Sequence, residues 1–430
     1  MQLVDLPLLG FVGTARTDAV QRRTRGAGLM PQRLSGVDPD FSLAWLLQPL
    51  TVQTFLNDVW GATYYHVRRN WPGYFDNLLG GSVSVDELLG LFRPHLSLVR
   101  LVRENDKKEP YLYRLPGGGF DAAGIGKDFA DGYTIVLESV HRYVRALSSL
   151  LHSIEVELNF ATQLNAYFTP PESRGFNAHY DEHDVLILQL RGSKIWHLYD
   201  GVQVAPHEMH RHEPVAAAGL PSPTDVRLEA GDLLYVPHGK VHAAEATSEL
   251  SVHLTLGLLA PTLLTFVTRA LGSLSYSDDR VHTQLPPRYL DDPEIRAGLG
   301  VLVHGLAEAL EEPSVIAEGL GSLEDDLVKR GQSPPVGQAI SNAVGIEGHS
   351  RVVKYQPLYS RVTDTADGVA LHFAQLVVNA ARDHEDALRF LSKSTEPLRV
   401  RDLPGLSASQ QTELVRILII NGFLIRLPDA

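Results

Sequence analysis

Cysteine is absent from all 430 residues of this chain. That excludes disulfides and thiolate metal sites, so any bound metal must rest on histidine, aspartate or glutamate. Long apolar runs are missing too: no window approaches the roughly 18 uninterrupted residues that a membrane helix needs. The segment "LPLLGFVG" near the N-terminus is too short for a secretory core and has no basic stretch before it. Positive charge is scarce, with 38 Lys and Arg against 51 Asp and Glu, for a formal net charge of −13. Such a surface repels nucleic acid unless a basic patch is segregated; it suits a basic partner or substrate, or solubility alone. Internal repeats and low-complexity segments are also lacking. What remains, 44% hydrophobic and 21% charged residues, is ordinary globular composition, enough chain for two or three domains and consistent with a cytoplasmic protein with no membrane partner.

Four regions follow from the patterning. Residues 1–38 carry "RTDAVQRRTRGAG", polar and basic without periodicity, and read as a flexible arm. Residues 39–262 open with helical stripes, Leu43, Leu46, Leu47 and Leu50, then Val52, Phe55, Leu56 and Val59. Ser84 and Glu87 form a capping-box pattern. From about residue 156 short β-type runs dominate, "LNAYFT", "DVLILQL", "KIWHLY", "DVRLEAGDLLYVP" and "SVHLTLGLL", as in an antiparallel sandwich or barrel. Residues 263–348 turn helical, with apolar faces that must be buried in a bundle or a subunit interface. Residues 349–430 mix strands with two helices and a closing "GFLIRL" strand, which suggests a winged helix. The second of those helices, "SASQQTELVRILIIN", has one basic residue, Arg416, beside Glu413, too little to grip phosphates, so direct nucleic-acid binding is not expected.

The chemistry concentrates in "FNAHYDEHDVLILQLRGSKIWHLYD", residues 176–200. Alternate residues of a strand share a face, so His179 and Asp181 would point the same way and could grip one metal. His242, ending "GDLLYVPHGKVH", is the best third ligand. Two imidazoles and one carboxylate make the facial triad that leaves three metal positions open, as an Fe(II) oxygenase requires for an oxo-acid and dioxygen. His183 shares the parity of His179 and competes with it. His238 follows Pro237 and belongs in a turn, and His207, His210 and His212 suit a solvated loop. A polar pair at the start of a strand can also be merely solvated. Lys194 begins the next strand: buried there it needs an anion, which a dicarboxylate such as 2-oxoglutarate would supply, whereas in an exposed turn it needs nothing.

These stretches, with "NAYFTPPESRG" before them and "ALRFLSKS" and "LIINGFLIR" near the end, resemble the JmjC-type 2-oxoglutarate oxygenases of the bacterial cupin-4 and ribosomal oxygenase group. The resemblance implies a mainly β catalytic core, a double-stranded β-helix, with flanking helices, a helical dimerisation segment and a C-terminal winged helix. It implies Fe(II) on His179, Asp181 and His242, with 2-oxoglutarate and O2 as co-substrates and Lys194 on the distal carboxylate. Asn165, His253 and Thr255 would line the co-substrate pocket, and Tyr167 the substrate channel. The implied activity is hydroxylation of a polypeptide side chain, a ribosomal protein first, with a natural-product precursor peptide or lysine demethylation as alternatives, in a homodimer. A second class is a regulator that uses its cupin as a ligand sensor. The chain departs from the family at His183, where a less ionisable residue is expected, and in its N-terminal arm.

Overall fold

The computed structural model describes residues 41–79, 85–92, 95–117, 119–203, 215, 219–330, 343–355, 359–374, 376–394 and 396–427. The basic arm, Ser84 and the His207, His210 and His212 cluster lie outside them.

Eleven strands build the central unit: β1 (Tyr65–Val67), β2 (Val99–Arg103), β3 (Asp106–Lys108), β4 (Thr134–Leu137), β5 (Ala161–Thr169), β6 (Asp184–Arg191), β7 (Ser193–Gln203), β8 (Thr224–Glu229), β9 (Leu233–Val236), β10 (Lys240–Ala246) and β11 (Ser251–Leu259). Eight of them form an antiparallel sheet in the order β1-β9-β6-β11-β5-β4-β2-β3, and β10-β7-β8 form a second sheet. The period of two along each strand explains why both sheet faces are dry. On β6, Leu186 and Leu188 join a core shared with the flanking helices, whereas Val185 and Ile187 pack with Trp196, Leu198, Val226 and Leu228 of the smaller sheet. On β5 and β11 the even positions, Leu164, Ala166, Leu254 and Leu256, enter the helix-side core, so the odd positions are left to face the sandwich interior.

The β6–β7 connection depends on Gly192. Its φ is +62°, and an added Cβ would stand 2.2 Å from the Leu250 carbonyl oxygen. This turn sets the register that delivers Lys194 to the interior.

Beyond the sandwich come three helices, Leu263–Leu274, Pro293–Leu310 and Pro313–Val328. The first is capped by Thr262, whose hydroxyl accepts from the Thr265 amide, and the second by Asp292 with Pro293 at its first position. Gly319 lets the third close on the first, because a Cβ there would lie 2.9 Å from that of Ala270. The C-terminal region has its own core, including Leu371, Phe373, Leu388, Leu391, Leu418 and Phe423. Its three-stranded sheet pairs Arg351–Lys354 with Leu398–Arg399 and Leu424–Arg426, and a second sheet is built from Arg361–Thr365, Gly368–Phe373 and Leu376–Ala380. Helices Glu385–Lys393 and Ala408–Ile420 complete it, the latter opened by a Ser407–Gln410 capping box.

Candidate metal and co-substrate site

His179 and Asp181 do not lie within a strand, as the alternation argument supposed; β6 begins only at Asp184. The backbone is placed instead by a single antiparallel bridge. The His179 amide donates to the His242 carbonyl at 2.9 Å, and the His242 amide returns a bond to His179 at 2.7 Å. The Gly239 amide donates to the Asp181 carbonyl at 2.8 Å. Two chain segments some sixty residues apart are thus stitched side by side, with their side chains converging.

The convergence is chemical as well as spatial. One ligand-type atom from each of His179, Asp181 and His242 lies within 4.8 Å of the others. The two imidazole centroids are 4.4 Å apart, and His242 Nε2 stands 3.6 Å from Asp181 Oδ2. His179 Nδ1 donates to the Asn177 carbonyl at 2.8 Å, and His242 Nδ1 to the Lys240 carbonyl at 2.9 Å. A carbonyl can only accept, so both Nδ1 atoms carry the proton and both Nε2 atoms keep the lone pair that a metal needs. This donor set fits a divalent metal of the imidazole–carboxylate kind.

A cavity of about 240 Å³ extends from the triad into the sandwich. Its wall is built by the odd positions of β5 and β11, paired as Tyr167 with His253, Asn165 with Thr255 and Gln163 with Gly257. Tyr167 and His253 stack at 4.6 Å with an interplanar angle of 7°. Asn165 accepts from the Ser139 amide through Oδ1 at 3.0 Å, which fixes its carboxamide.

Lys194 is 4% exposed, so the solvated-turn reading fails. Its Nζ donates to Thr169 Oγ1 at 3.0 Å, and among the described residues no carboxylate pairs with it. Burial alone pushes its pKa down to about 7. Beside it His253 is held well below the usual histidine range, first by burial and then by the Lys194 charge. His253 Nδ1 and Trp196 Nε1, both buried against the same cavity, have no hydrogen-bond partner among the described residues. Buried polar groups are ordinarily satisfied, so an ammonium, an indole N–H and an imidazole nitrogen left facing one cavity fit a carboxylate-bearing ligand. Tyr167 is pushed up to about 12 by burial and then by the Asp181 charge, so its hydroxyl keeps its proton.

The remaining polar residues separate clearly. His238 sits in a turn, its Nδ1 3.4 Å from Asp184 Oδ2, and Asp184 accepts from the Tyr235 hydroxyl at 2.5 Å; this carboxylate braces the start of β6 and takes no part in the cavity. His183, which competes with His179 by parity, is not part of the triad but lines the cavity. Sequence reasoning missed other lining residues, among them Gln163, Gly257 and Arg100, whose guanidinium pairs with Glu138. The first two share strand parity with residues already singled out, which was signal enough; Arg100 comes from β2 and had none.

A two-sheet sandwich with His179, Asp181 and His242 gathered at its mouth is the arrangement expected of a JmjC domain. Residues 141–266 match the family model for the JmjC domain, and the chain carries that domain. Among curated proteins it is 31% identical over 263 residues to the bifunctional lysine-specific demethylase and histidyl-hydroxylase NO66 of Drosophila yakuba, covering 60% of this chain and 35% of that one. The NO66 of Dictyostelium discoideum is 31% identical over 228 residues, 51% of this chain and 43% of its own. The chain therefore spans less than half the length of these relatives. In fold it is similar to the Escherichia coli ribosomal oxygenase YcfD, with a TM-score of 0.59 and 19% identity over 88% of this chain and 98% of that one. The same oxygenase in complex with cobalt and 2-oxoglutarate gives a TM-score of 0.56 at 19% identity, with the same coverage.

Proposed function

We propose that the protein is an Fe(II)- and 2-oxoglutarate-dependent oxygenase that hydroxylates a side chain of a polypeptide, a ribosomal protein being the leading class. The observation that carries this reading is one cavity holding both a triad within 4.8 Å and a buried lysine without a carboxylate. When bound, iron with 2-oxoglutarate and O2 would supply the oxidising power for a C–H bond, with succinate and carbon dioxide as co-products.

The chain's own residues do the rest. His179, Asp181 and His242 would hold the metal on one side and leave the other open. The two carbonyl-anchored Nδ1–H groups fix ring orientation, so the triad does not reorganise when a ligand arrives. Lys194 would receive the distal carboxylate of the co-substrate as a charge-assisted hydrogen bond, its cost of burial offset on binding. Asn165, Thr255 and His253 would form the wall along which that dicarboxylate lies, and Tyr167, stacked on His253, adds a protonated hydroxyl to it. The apolar side chains of Val185 and Ile187 would keep water from the reacting centre.

The ribosomal substrate rests on the fold shared with YcfD over nearly the whole described chain, and on the net negative charge that suits a basic target. We read residues 263–348 as a homodimerisation segment, because Leu263, Val301 and Val303 are 77%, 74% and 65% exposed on its helices. We read residues 349–430 as a winged-helix module that positions substrate; Arg416 there is taken up by Glu413 at 2.6 Å, which leaves little for phosphate. Among the described residues no helix is long and apolar enough to cross a membrane. We place the protein in the cytoplasm because that is where a ribosomal substrate is met. Incubation with ribosomal proteins, Fe(II), 2-oxoglutarate and O2, followed by mass spectrometry, tests the activity: one added oxygen on a defined residue supports it. Succinate formation with no oxidised polypeptide turns the assignment toward a non-protein substrate.

A further inference from the structure

The three rungs of the cavity wall are chemically graded. The innermost, Tyr167 with His253, lies beside Lys194, and the middle one is Asn165 with Thr255. The outermost, Gln163 with Gly257, has no side chain on β11, yet the space is filled. A Cβ on Gly257 would come within 2.6 Å of both Cδ2 and Nε2 of His183, and within 3.2 Å of Gln163 Cγ. The imidazole of His183 therefore occupies the place a side chain at 257 would take. It is the residue at which this chain departs from the expected pattern.

We propose that His183, seated over Gly257 and paired with Gln163, selects the target side chain, favouring a neutral head that both donates and accepts hydrogen bonds, a carboxamide or an imidazole. The inference rests on the oxygenase reading above. Gln163 Nε2 lies 3.5 Å from His183 Nε2, and among the described residues no other hydrogen bond engages either side chain. The amide donates to Nε2, which leaves the Nδ1–H of His183 as a donor and Oε1 of Gln163 as an acceptor. A guanidinium or ammonium would set donor against donor at this rung and leave a desolvated N–H unpaired.

His183 stands where two hollows of the protein meet. It lines the metal-side cavity and also a second depression, shared with Asn159, Glu182, Leu259, Asp326 and Arg330, between the sandwich and helix Pro313–Val328. A polypeptide lying in that depression would send its side chain past His183 toward the triad.

Matched synthetic peptides bearing His, Asn, Gln, Arg or Lys at one central position in randomised flanks test the proposal. Their binding is measured on protein loaded with Mn(II) and 2-oxoglutarate, which is inert to turnover. The wild type should retain His, Asn and Gln peptides over Arg and Lys peptides. His183→Phe keeps the ring and removes both hydrogen-bonding atoms, so the preference should fall about tenfold. His183→Asn should keep most of it, and Gly257→Ala should mimic His183→Phe by displacing the imidazole. The anaerobic Fe(II)–2-oxoglutarate absorption band should be unchanged in all three. A preference for Arg or Lys, no preference at all, or one that survives both His183→Phe and Gly257→Ala overturns the proposal. Absence of the band in the wild type overturns the oxygenase reading instead.

Discussion

Replacing Lys194 with methionine should stabilise the protein without its co-substrate and remove its response to that co-substrate. Methionine matches the length of lysine and carries no charge. The fall of the Lys194 pKa from 10.5 to about 7 means that burial disfavours the ammonium by roughly 5 kcal/mol, at 1.36 kcal/mol per tenfold change in proton affinity. The lost bond to Thr169 returns about 1 kcal/mol of that. The sign with pH follows from a lysine whose folded pKa is depressed. Below about pH 7 the folded protein carries the whole penalty; between about 7 and 10.5 it sheds the proton and the penalty declines. Lys194→Met should therefore be more stable than wild type by several kcal/mol at pH 6, with the gain more than halved by pH 9. Denaturant unfolding at the two pH values measures it. With Mn(II) present throughout, added 2-oxoglutarate should raise the wild-type midpoint and leave the variant nearly unmoved. A variant that is less stable at pH 6, or that still gains as much from 2-oxoglutarate, would refute the assignment of Lys194 as a buried ammonium awaiting a carboxylate.

Gly192→Ala should cost more than about 2 kcal/mol and lower the melting temperature, because the new Cβ meets the Leu250 carbonyl oxygen at a positive φ. Asp184→Asn should weaken the protein through the Tyr235 and His238 contacts. The His238 pKa is raised by its bond to Asp184, so that part of the stability is present below the ordinary histidine value and lost as pH rises through the raised one. The gap between wild type and Asp184→Asn in thermal melts should accordingly be wider at pH 5.5 than at pH 8.5.

The fold was legible where local chemistry decides it. The β-type runs "DVLILQL" and "SVHLTLGLL" are β6 and β11, and the helical patterning after residue 262 is kept as three helices. The site was legible in its members more than in its geometry. His179 and Asp181 were picked by strand parity, yet they converge on His242 through one β-bridge ahead of the strand, a pairing that no local pattern encodes. Lys194 could not be placed inside or outside from sequence, because that depends on the turn at Gly192 and on Thr169 of a strand 25 residues earlier. The seat of His183 was not legible, because only the missing side chain of Gly257 makes room for it.

One cavity should bind a metal and a 2-oxo acid together. Anaerobic titration with Fe(II) and 2-oxoglutarate, followed by visible absorption, tests it most directly. The wild type and His183→Ala should develop the weak metal-to-ligand charge-transfer band, and His179→Ala and His242→Ala should not. A wild type that shows no band, or a band that persists without His179 and His242, would contradict the account.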